Sequence, residues 1–523
     1  MLKQFFGKTF WITLIALAVV FGLSVVAFES IAVPVLLVAI MVTTFALSLK
    51  NLHLGLLIAF AELFANSHGH LLSVEVVGGF QFGLRMAIFV AVMSAWLILF
   101  LARRTMFKFR DARLTPFLVL FAAIIIGFLN GYFQNDLRDV FSDGNAYFYV
   151  AYILPILSIE WDRSKQRMLL QVLIGSAAWV ITLTLGLLFI FTHVPPYLLS
   201  DTYTFIRDTR TGELTEMTAG IFRIFIQAQF SVILAIFFLA PFLWMKKIAR
   251  RDWLWLGLFM ALGTAAILIS LSRSFWVGII AASLVFLGLV IKYLWPGYKM
   301  AGAAMAKHAG VKVLSVIILI IVVLFPMPFM SSSLSSFADL FASRTTETTD
   351  QAIDSRWKLL PPMVDSIKSD PLTGHGFGTK LEFISEDPRV RAINPDGKWI
   401  TYSFEWGWLE LWIKMGILGP AAFLALFVLM IKGLWSYLST EKKWLSIALI
   451  SCLAFLFATH VFSPYLNHPL GLGLILFIIP FLPIKKLAPE PVGVLSPSAV
   501  LKRAGHRPAP TPGLSRQRLD NLE

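Results

Sequence analysis

One long hydrophilic segment interrupts an otherwise apolar chain and divides the fold: residues Met330–Glu405 read MSSSLSSFADLFASRTTETTDQAIDSRWKLLPPMVDSIKSDPLTGHGFGTKLEFISEDPRVRAINPDGKWITYSFE. A loop of this length is uncommon in a compact protein unless it has a function. Four of its apolar residues recur at helical spacing: Trp357, Leu360, Val364 and Ile367. We therefore expect an amphipathic helix that lies on a bilayer surface and that the Pro361–Pro362 pair starts or kinks.

The composition on either side of this segment is that of a membrane protein. Of the 523 residues, 58% are hydrophobic and 14% are charged, whereas a soluble domain is roughly 45 to 50% apolar. The net charge is +14, but the basic residues cluster in short segments between apolar runs, where they set orientation. The single cysteine, Cys452, excludes an internal disulfide. The composition predicts a polytopic membrane protein and no nucleic-acid partner.

The apolar runs predict an all-α bundle of about 12 to 14 transmembrane helices, since about 20 apolar residues cross the hydrocarbon core. Fourteen runs are candidates, of which the third is short: Phe10–Phe28, Ile31–Ser48, Leu52–Ala65, Phe82–Ala102, Leu114–Asn130, Ala146–Ile159, Met168–Phe191, Ile221–Trp244, Trp253–Leu271, Phe275–Ile291, Val311–Phe329, Trp406–Ile431, Trp444–Phe462 and Leu470–Pro483. The first run also resembles a secretory signal, but its length favours a retained helix.

Lysines and arginines collect on one side when these spans alternate. That side includes Lys50 and the Arg103-Arg104 pair, and the positive-inside rule makes it cytoplasmic. Both termini are then cytoplasmic, and in a bacterial inner membrane the large loop is periplasmic. We expect a bundle over residues 1–329 and 406–486, an extracytoplasmic loop at 330–405, and a proline-rich, disordered cytoplasmic tail at 487–523.

Three arginines are candidate ligands for a phosphate group. Arg273 lies between two apolar spans with almost no loop to solvate it, so it marks a site unless it reaches lipid phosphate. Arg223 enters the membrane from the same side, with Gln227 deeper in the span, and an ordinary interfacial arginine is the alternative. With Arg356 these residues would form fixed cations at one outer-leaflet site. Planar guanidinium groups suit a pyrophosphate because they donate paired hydrogen bonds.

Two residues are candidate general bases. Glu405 opens the span Trp406–Ile431, where it either removes a proton from an attacking hydroxyl or stabilises the helix N-terminus. His375 is the competing base, although a histidine between glycines is often merely exposed.

His375 belongs to a glycine-rich turn, GHGFG. Its glycines are Gly374, Gly376 and Gly378. They would let backbone amides approach an anionic group closely, or they form only a flexible turn.

Three motifs follow one another around the loop: Ser272-Arg273-Ser274-Phe275-Trp276, DPLTGHGFG at Asp370–Gly378, and WLELWIKMGILG at Trp408–Gly419. Over roughly Arg223–Phe427 the chain resembles the O-antigen ligase and polymerase superfamily of bacterial envelope glycosyltransferases. The resemblance implies a GT-C-like helical fold and a polyprenyl-diphosphate-linked glycan as donor at the outer face of the inner membrane. It implies an inverting enzyme that requires no metal, and we expect no cofactor.

The resemblance also assigns roles. Arg223, Arg273 and Arg356 look like the diphosphate cluster, the Gly374–Gly378 turn looks like the loop's signature, and a base at the loop's end activates the acceptor. Ligases usually carry a histidine pair where this chain has Glu405-Trp406. Either Glu405 or His375 then serves as the base.

The departure at Glu405 favours a polymerase that joins lipid-linked repeats into O-antigen or exopolysaccharide. The alternative is a ligase that transfers glycan to lipid A core or to protein. A polysaccharide transporter or lipid flippase is an alternative of another class, but it expects charged residues near helix midpoints rather than at span ends. Expected partners are the lipid-linked donor, a glycan or lipid A core acceptor, membrane lipid and other polysaccharide export proteins.

Overall fold

The computed structural model describes residues 4–76, 80–107, 111–218, 220–244, 249–294, 298–329, 351–386 and 388–483, with a few positions between 333 and 342. The predicted tail at 487–523 and most of 330–350 lie outside these ranges.

The described chain is a polytopic helical bundle, as its apolar runs predict. Ten helices are long and apolar enough to cross a membrane: Lys8–Ala27, Ala32–Lys50, Leu84–Leu101, Thr115–Gln134, Arg163–His193, Arg250–Leu268, Arg273–Tyr293, Gly302–Leu324 within Tyr298–Leu324, Leu418–Trp435 and Lys443–Phe462. Three shorter apolar helices join them: Leu52–Ala65, Gln229–Leu243 and Pro469–Phe481, whose last turn is a 3₁₀ helix. The all-α fold class is confirmed.

Helix Gln229–Leu243 lies at the centre of the core and is buried along nearly its whole length. It packs against Arg163–His193 on one side and Lys443–Phe462 on the other. Because it is apolar all round, it suits a position surrounded by other helices.

The remaining α-helices lie between the spans. One of them, Gln351–Ser369, has 19 residues, and the others are short: Leu137–Gly144, Ile153–Leu157, Ser200–Asp208, Pro388–Ile393 and Gly407–Met415. The strands form three two-stranded antiparallel sheets: Val74–Val76 with Phe80–Phe82, Glu213–Thr218 with Ile221–Phe225, and Leu381–Ile384 with Lys398–Thr401.

Three predicted spans take a different form. Ala146–Ile159 is a 3₁₀ helix, Asn145–Tyr152, followed by a five-residue helix. Ile221–Trp244 begins as a strand, since Ile221–Phe225 pairs antiparallel with Glu213–Thr218, and the helix starts only at Gln229.

The third of these, Trp406–Ile431, is broken at Gly416. That residue has φ +60°, and the carbonyl of Leu372 occupies the space that a Cβ would need. The break lets the following span, Leu418–Trp435, start in a new direction.

One set of connections lies at one end of the bundle, which we call the loop face, and it includes the segments around Ser67, Thr211, Ile224 and Ile269. There the Ser67 hydroxyl donates to the carbonyl of Thr211 at 2.7 Å. The amide of Ile224 donates to the carbonyl of Ile269 at 3.3 Å. Segments distant in sequence therefore form one layer. The large loop packs against the end of helix Thr115–Gln134, where the Asn130 side chain donates to the carbonyls of Thr373 and Gly374 at 3.0 and 3.1 Å.

The predicted loop helix is present as Gln351–Ser369, and both prolines lie inside it. Its buried side chains are Leu359 and Met363, which pack against Phe404 and Ile413 in a small core of their own. Trp357 is 58% exposed. The sequence predicts an amphipathic helix that lies on a bilayer surface. The structure shows that one face of this helix is buried within the protein.

Candidate functional site

Arg273 occupies the first position of helix Arg273–Tyr293, after a four-residue turn that begins at Ile269. Leu271 in that turn has φ +48°, an uncommon conformation for a leucine. The Ser270 hydroxyl stabilises the turn by donating to the carbonyl of Ile267 at 2.6 Å. The turn therefore fixes Arg273 at a helix N-terminus on the loop face, where backbone N–H groups favour an anion.

Arg223 reaches the same turn from the hairpin Glu213–Thr218/Ile221–Phe225. Its Nε–H donates to the carbonyl of Ser270 at 2.9 Å, and its guanidinium lies 5.1 Å from the centre of the Phe225 ring. Its terminal nitrogen is 3.6 Å from a carboxylate oxygen of Glu213. The structure therefore brings Arg223 and Arg273 to one turn, although fifty residues separate them in sequence.

Arg356 and Glu405 form an ion pair at the loop face. The Trp406 indole donates to the carbonyl of Arg356 at 2.9 Å, and the Trp357 and Trp406 rings are 5.3 Å apart. The pair lines an open cavity of about 380 Å³ together with Trp399. The ion pair joins the loop helix to the segment that precedes helix Gly407–Met415.

One ring contact and one helix–helix contact place both arginine groups at the same end of the bundle. The Trp406 ring lies 5.4 Å from that of Phe462, the last residue of helix Lys443–Phe462. This helix packs closely along Arg273–Tyr293, with Thr459 against Gly278 near the start of that helix. The Glu405 segment and the Arg273 turn are therefore both part of the loop face.

The glycine turn is a packing element rather than an open anion site. Gly374, Gly376 and Gly378 have φ +67°, +84° and +81°. The amides of His375, Phe377 and Gly378 donate to Ile413 O, Gly127 O and Asp143 Oδ2 at 2.7, 3.0 and 2.8 Å. These three amides already have acceptors within the protein, which does not support the expectation that they bind an anion.

His375 lies away from the Arg356–Glu405 pair. Its Nε2 is 2.9 Å from the carbonyl of Ser366 and 3.1 Å from the hydroxyl of Ser369. Ser366 follows Arg356 by ten residues in the loop helix, which is roughly 15 Å along a helix axis. The two candidate bases thus occupy different places on the loop face.

A buried charge cluster that the sequence analysis missed supports the turn. Lys414 lies between Asp143 and Glu410, and all three side chains are almost fully buried. Its ammonium group lies 5.4 Å from the centre of the Phe404 ring. Since Asp143 also accepts from Gly378, the cluster connects the glycine turn to helix Gly407–Met415. The pairing of Glu410 with Lys414 could have been predicted from their four-residue spacing in a helix, whereas the contact with Asp143 has no local sequence pattern.

A second buried pair lies nearby on the loop face. Arg85 donates to Glu62 at 2.9 Å, to the carbonyl of Asn66 at 2.6 Å and to that of Ser67 at 3.1 Å. These bonds satisfy the guanidinium and fix the segment after helix Leu52–Ala65. In the part of the chain that the structure describes, no group of three or more His, Cys, Asp or Glu side chains has the arrangement of a metal site.

Comparison with known proteins gives one match. A family model, Wzy_C, described as O-antigen ligase, matches residues 258–424. The matched region contains Arg273, Arg356, the glycine turn and Glu405, while Arg223 precedes it. No curated protein and no solved structure matches the chain.

Proposed function

We propose that this chain is a membrane glycosyltransferase of the O-antigen ligase and polymerase superfamily, whose family model matches residues 258–424. We propose further that it transfers glycan from a polyprenyl diphosphate to an acceptor hydroxyl at the loop face. We infer that its reaction is the polymerisation of O-antigen or exopolysaccharide repeat units, and that the loop face is periplasmic. The observation that carries the proposal is the convergence of Arg223 and Arg273 on one turn.

Two guanidinium groups beside a helix N-terminus suit the leaving group of this reaction. As the glycosidic C–O bond breaks, negative charge develops on the diphosphate, and Arg223 and Arg273 would donate charge-assisted hydrogen bonds to its oxygens. The helix that starts at Arg273 adds backbone N–H groups and a favourable dipole. Interactions that strengthen as this charge develops raise the rate of the chemical step.

Glu405 is the proposed base. The acceptor oxygen attacks the anomeric carbon and forms the new C–O bond, its proton passes to the Glu405 carboxylate, and the bond electrons leave with the polyprenyl diphosphate. Attack opposite the leaving group inverts the anomeric centre. Arg356 would connect the two functions, since its bond to Glu405 uses the Nε–H and a guanidinium carries five N–H groups.

His375 is the weaker candidate because it does not line the cavity beside Glu405, and its Nε2 contacts Ser366 and Ser369 instead. The Glu405 side chain, in contrast, is 49% exposed and lines a cavity that an acceptor can enter. We expect His375 to hold the glycine turn against the end of the loop helix.

A ligase is the second candidate, and the description of the matching family model favours it. The two differ in product. A polymerase gives a ladder of lengthening chains, whereas a ligase gives one transfer to lipid A core or protein. In cells, loss of a polymerase leaves single repeats, and loss of a ligase leaves long chains on the lipid carrier.

The decisive assay uses the purified chain in lipid nanodiscs with a lipid-diphosphate oligosaccharide and either repeat-unit or lipid A core acceptors, with and without chelator. We expect a product ladder that the chelator does not change. Arg273→Gln and Arg223→Gln should each slow transfer by about tenfold to a few hundredfold, the loss of one charge-assisted contact in the transition state. Glu405→Gln should remove transfer and leave donor binding intact.

The matched control is Arg391→Gln, an exposed loop arginine paired with Glu386. Its rate should stay within a factor of about two, since exposed ion pairs contribute little. Equal rates for Arg273→Gln and Arg391→Gln would exclude the proposed diphosphate site. Transport that persists in an Arg273→Ala, Glu405→Gln double variant would point to the transporter alternative instead.

A further inference from the structure

A large cavity beside the proposed reaction centre has no role in the proposal above. We name it the arginine cavity. Its volume is about 810 Å³, and the lining residues used below are His70, Arg138, Phe141, Phe148, Arg210 and Tyr402. A cavity of this size is within the range of small-ligand sites, roughly 300 to 1,000 Å³.

Its charged lining is of one sign. Every charged side chain that lines it is an arginine: Arg85, Arg138 and Arg210. Arg85 at its wall is neutralised by Glu62, but Arg138 and Arg210 are exposed and form no ion pair with any residue that the structure describes. Burial, reinforced by Arg210 and Arg85, lowers the pKa of His70 to about 4, so His70 is neutral at pH 7 and can accept or donate a hydrogen bond. The cavity thus offers two available guanidinium groups to an anion.

The same cavity has an aromatic wall. The Phe80 and Phe141 rings are 5.2 Å apart, and those of Phe141 and Phe148 are 6.1 Å apart. Phe141 and Phe148 are 36% and 44% exposed. Aromatic faces pack well against the C–H faces of a sugar ring, while arginine forks match a carboxylate or a phosphate.

The cavity adjoins both parts of the proposed site. Tyr402 lines it and precedes Glu405 by three residues. At its other side Arg210 also lines a cavity of about 420 Å³ that includes Glu213 and Gln227. Glu213 is the residue that pairs with Arg223. A sugar bound in the arginine cavity would therefore lie next to the reacting end of the glycan.

We propose that the arginine cavity is a glycan subsite for a sugar that carries an anionic substituent, a carboxylate or a phosphate, so that the substrate of this enzyme is an acidic polysaccharide. This inference rests on the proposed function for its location, but not for its chemistry. Two arginines and an aromatic wall recognise the charge and the ring of one residue of the chain.

The test measures binding to the full chain in nanodiscs by calorimetry. The probes are a tetragalacturonate, the same oligosaccharide after carboxyl reduction, a sugar monophosphate and glycerophosphoglycerol as a lipid headgroup. We expect the tetragalacturonate or the sugar phosphate to bind at least about tenfold more tightly than the reduced oligosaccharide, because each lost charge-assisted contact weakens binding by about tenfold or more. The probe of the two that binds more tightly identifies the substituent.

The variants are Arg138→Gln and Arg210→Gln, singly and together. Each should weaken binding of the acidic sugar about tenfold, and the pair more. The control is Arg207→Gln, three residues before Arg210, because Arg207 pairs with Asp208 and does not line the arginine cavity. Its affinity should equal that of the wild type. All these side chains are exposed, so the variants should fold, and unchanged thermal unfolding verifies it.

Equal binding of the charged and reduced oligosaccharides would overturn the inference, and so would an equal loss of affinity in Arg207→Gln and the two cavity variants. Tightest binding of glycerophosphoglycerol would also overturn it and would assign the cavity to a lipid headgroup. The two proposals fail separately. Acidic sugar binding that depends on Arg138 and Arg210, without glycosyl transfer to any acceptor, refutes the function and leaves the subsite. Transfer that is unaffected by the double variant, with no acidic sugar binding, refutes the subsite and leaves the function.

Discussion

The buried cluster around Lys414 makes a strong prediction about stability. In Lys414→Met the cation is lost, and the carboxylates of Asp143 and Glu410 remain in a site where each is at most 7% exposed. Removing one partner of a buried ion pair typically costs about 3 to 5 kcal/mol, because the charge that remains is neither solvated nor paired. Here two charges of the same sign remain, so we expect a loss at the upper end of that range.

The measurement is thermal unfolding of the purified chain in detergent, followed by tryptophan fluorescence. Lys368→Met is the matched control, since Lys368 pairs with Asp365 at 3.6 Å while both side chains are more than 70% exposed. That variant should lose no more than about 0.5 kcal/mol. A triple variant, Lys414→Met with Asp143→Asn and Glu410→Gln, removes all three charges and should recover most of the stability.

The Lys414→Met substitution should also affect the proposed catalytic site. Asp143 accepts the amide hydrogen of Gly378 at 2.8 Å, so an unpaired Asp143 disturbs the glycine turn and the segment leading to Glu405. Glycosyl transfer by the folded fraction of Lys414→Met should therefore be slower than that of Lys368→Met. If Lys414→Met unfolds at the temperature of Lys368→Met, the reasoning about a buried, mutually dependent cluster is wrong.

Three further predictions follow from single residues. His375→Asn should transfer glycan at a rate within about tenfold of the wild type, whereas Glu405→Gln should not transfer it, because only Glu405 would take the acceptor's proton. An assay of both variants with the lipid-linked donor makes the comparison. Gly376→Ala should unfold at a lower temperature. Gly376 has φ +84°, a Cβ there would collide with the backbone of Gly131, and such strain costs at least about 1 to 3 kcal/mol. The control, Gly186→Ala, has open space around the added Cβ and should be neutral or stabilising. The pKa of His70 falls from 6.5 to about 4 on folding, so between these pH values the unfolded chain binds more protons than the folded chain. The unfolding temperature should therefore fall as the pH drops from 6.5 to about 4, and His70→Asn should make that fall smaller.

The spans could be predicted because they depend on local composition. A run such as Thr115–Gln134 or Lys443–Phe462 is apolar enough to specify a membrane-length helix without reference to any other part of the chain. Short apolar runs are ambiguous between helix and strand, and Ile221–Phe225 was assigned to a helix for that reason. Its partner strand, Glu213–Thr218, is polar and offered little signal of its own.

The sequence proposes members of the candidate site, but it does not predict their contacts. Arg273, an arginine with almost no loop to solvate it, is a site candidate from sequence alone. That Arg223 donates to the carbonyl of Ser270 depends on a hairpin packing against a turn 47 residues away, and no spacing rule anticipates it. The Asp143–Lys414 contact spans 271 residues and is equally invisible locally.

The hydrogen-bonding needs of the backbone explain why the proposed chemistry is located in the irregular segments of the loop face. Helices buried in lipid satisfy their own backbone groups, so they offer few free donors to a polar substrate. Turns such as Ile269–Ser272, and hairpins such as Glu213–Phe225, present carbonyls and charged side chains that need partners, and here they provide them to one another. Buried ion pairs at Arg85 and Lys414 hold these segments in place, and none of Arg223, Arg273 and Glu405 belongs to these two pairs. Because the buried pairs and the proposed catalytic residues are separate sets, changes to the buried pairs should alter stability and rate together, whereas changes to Arg273 should lower the rate more than they lower stability.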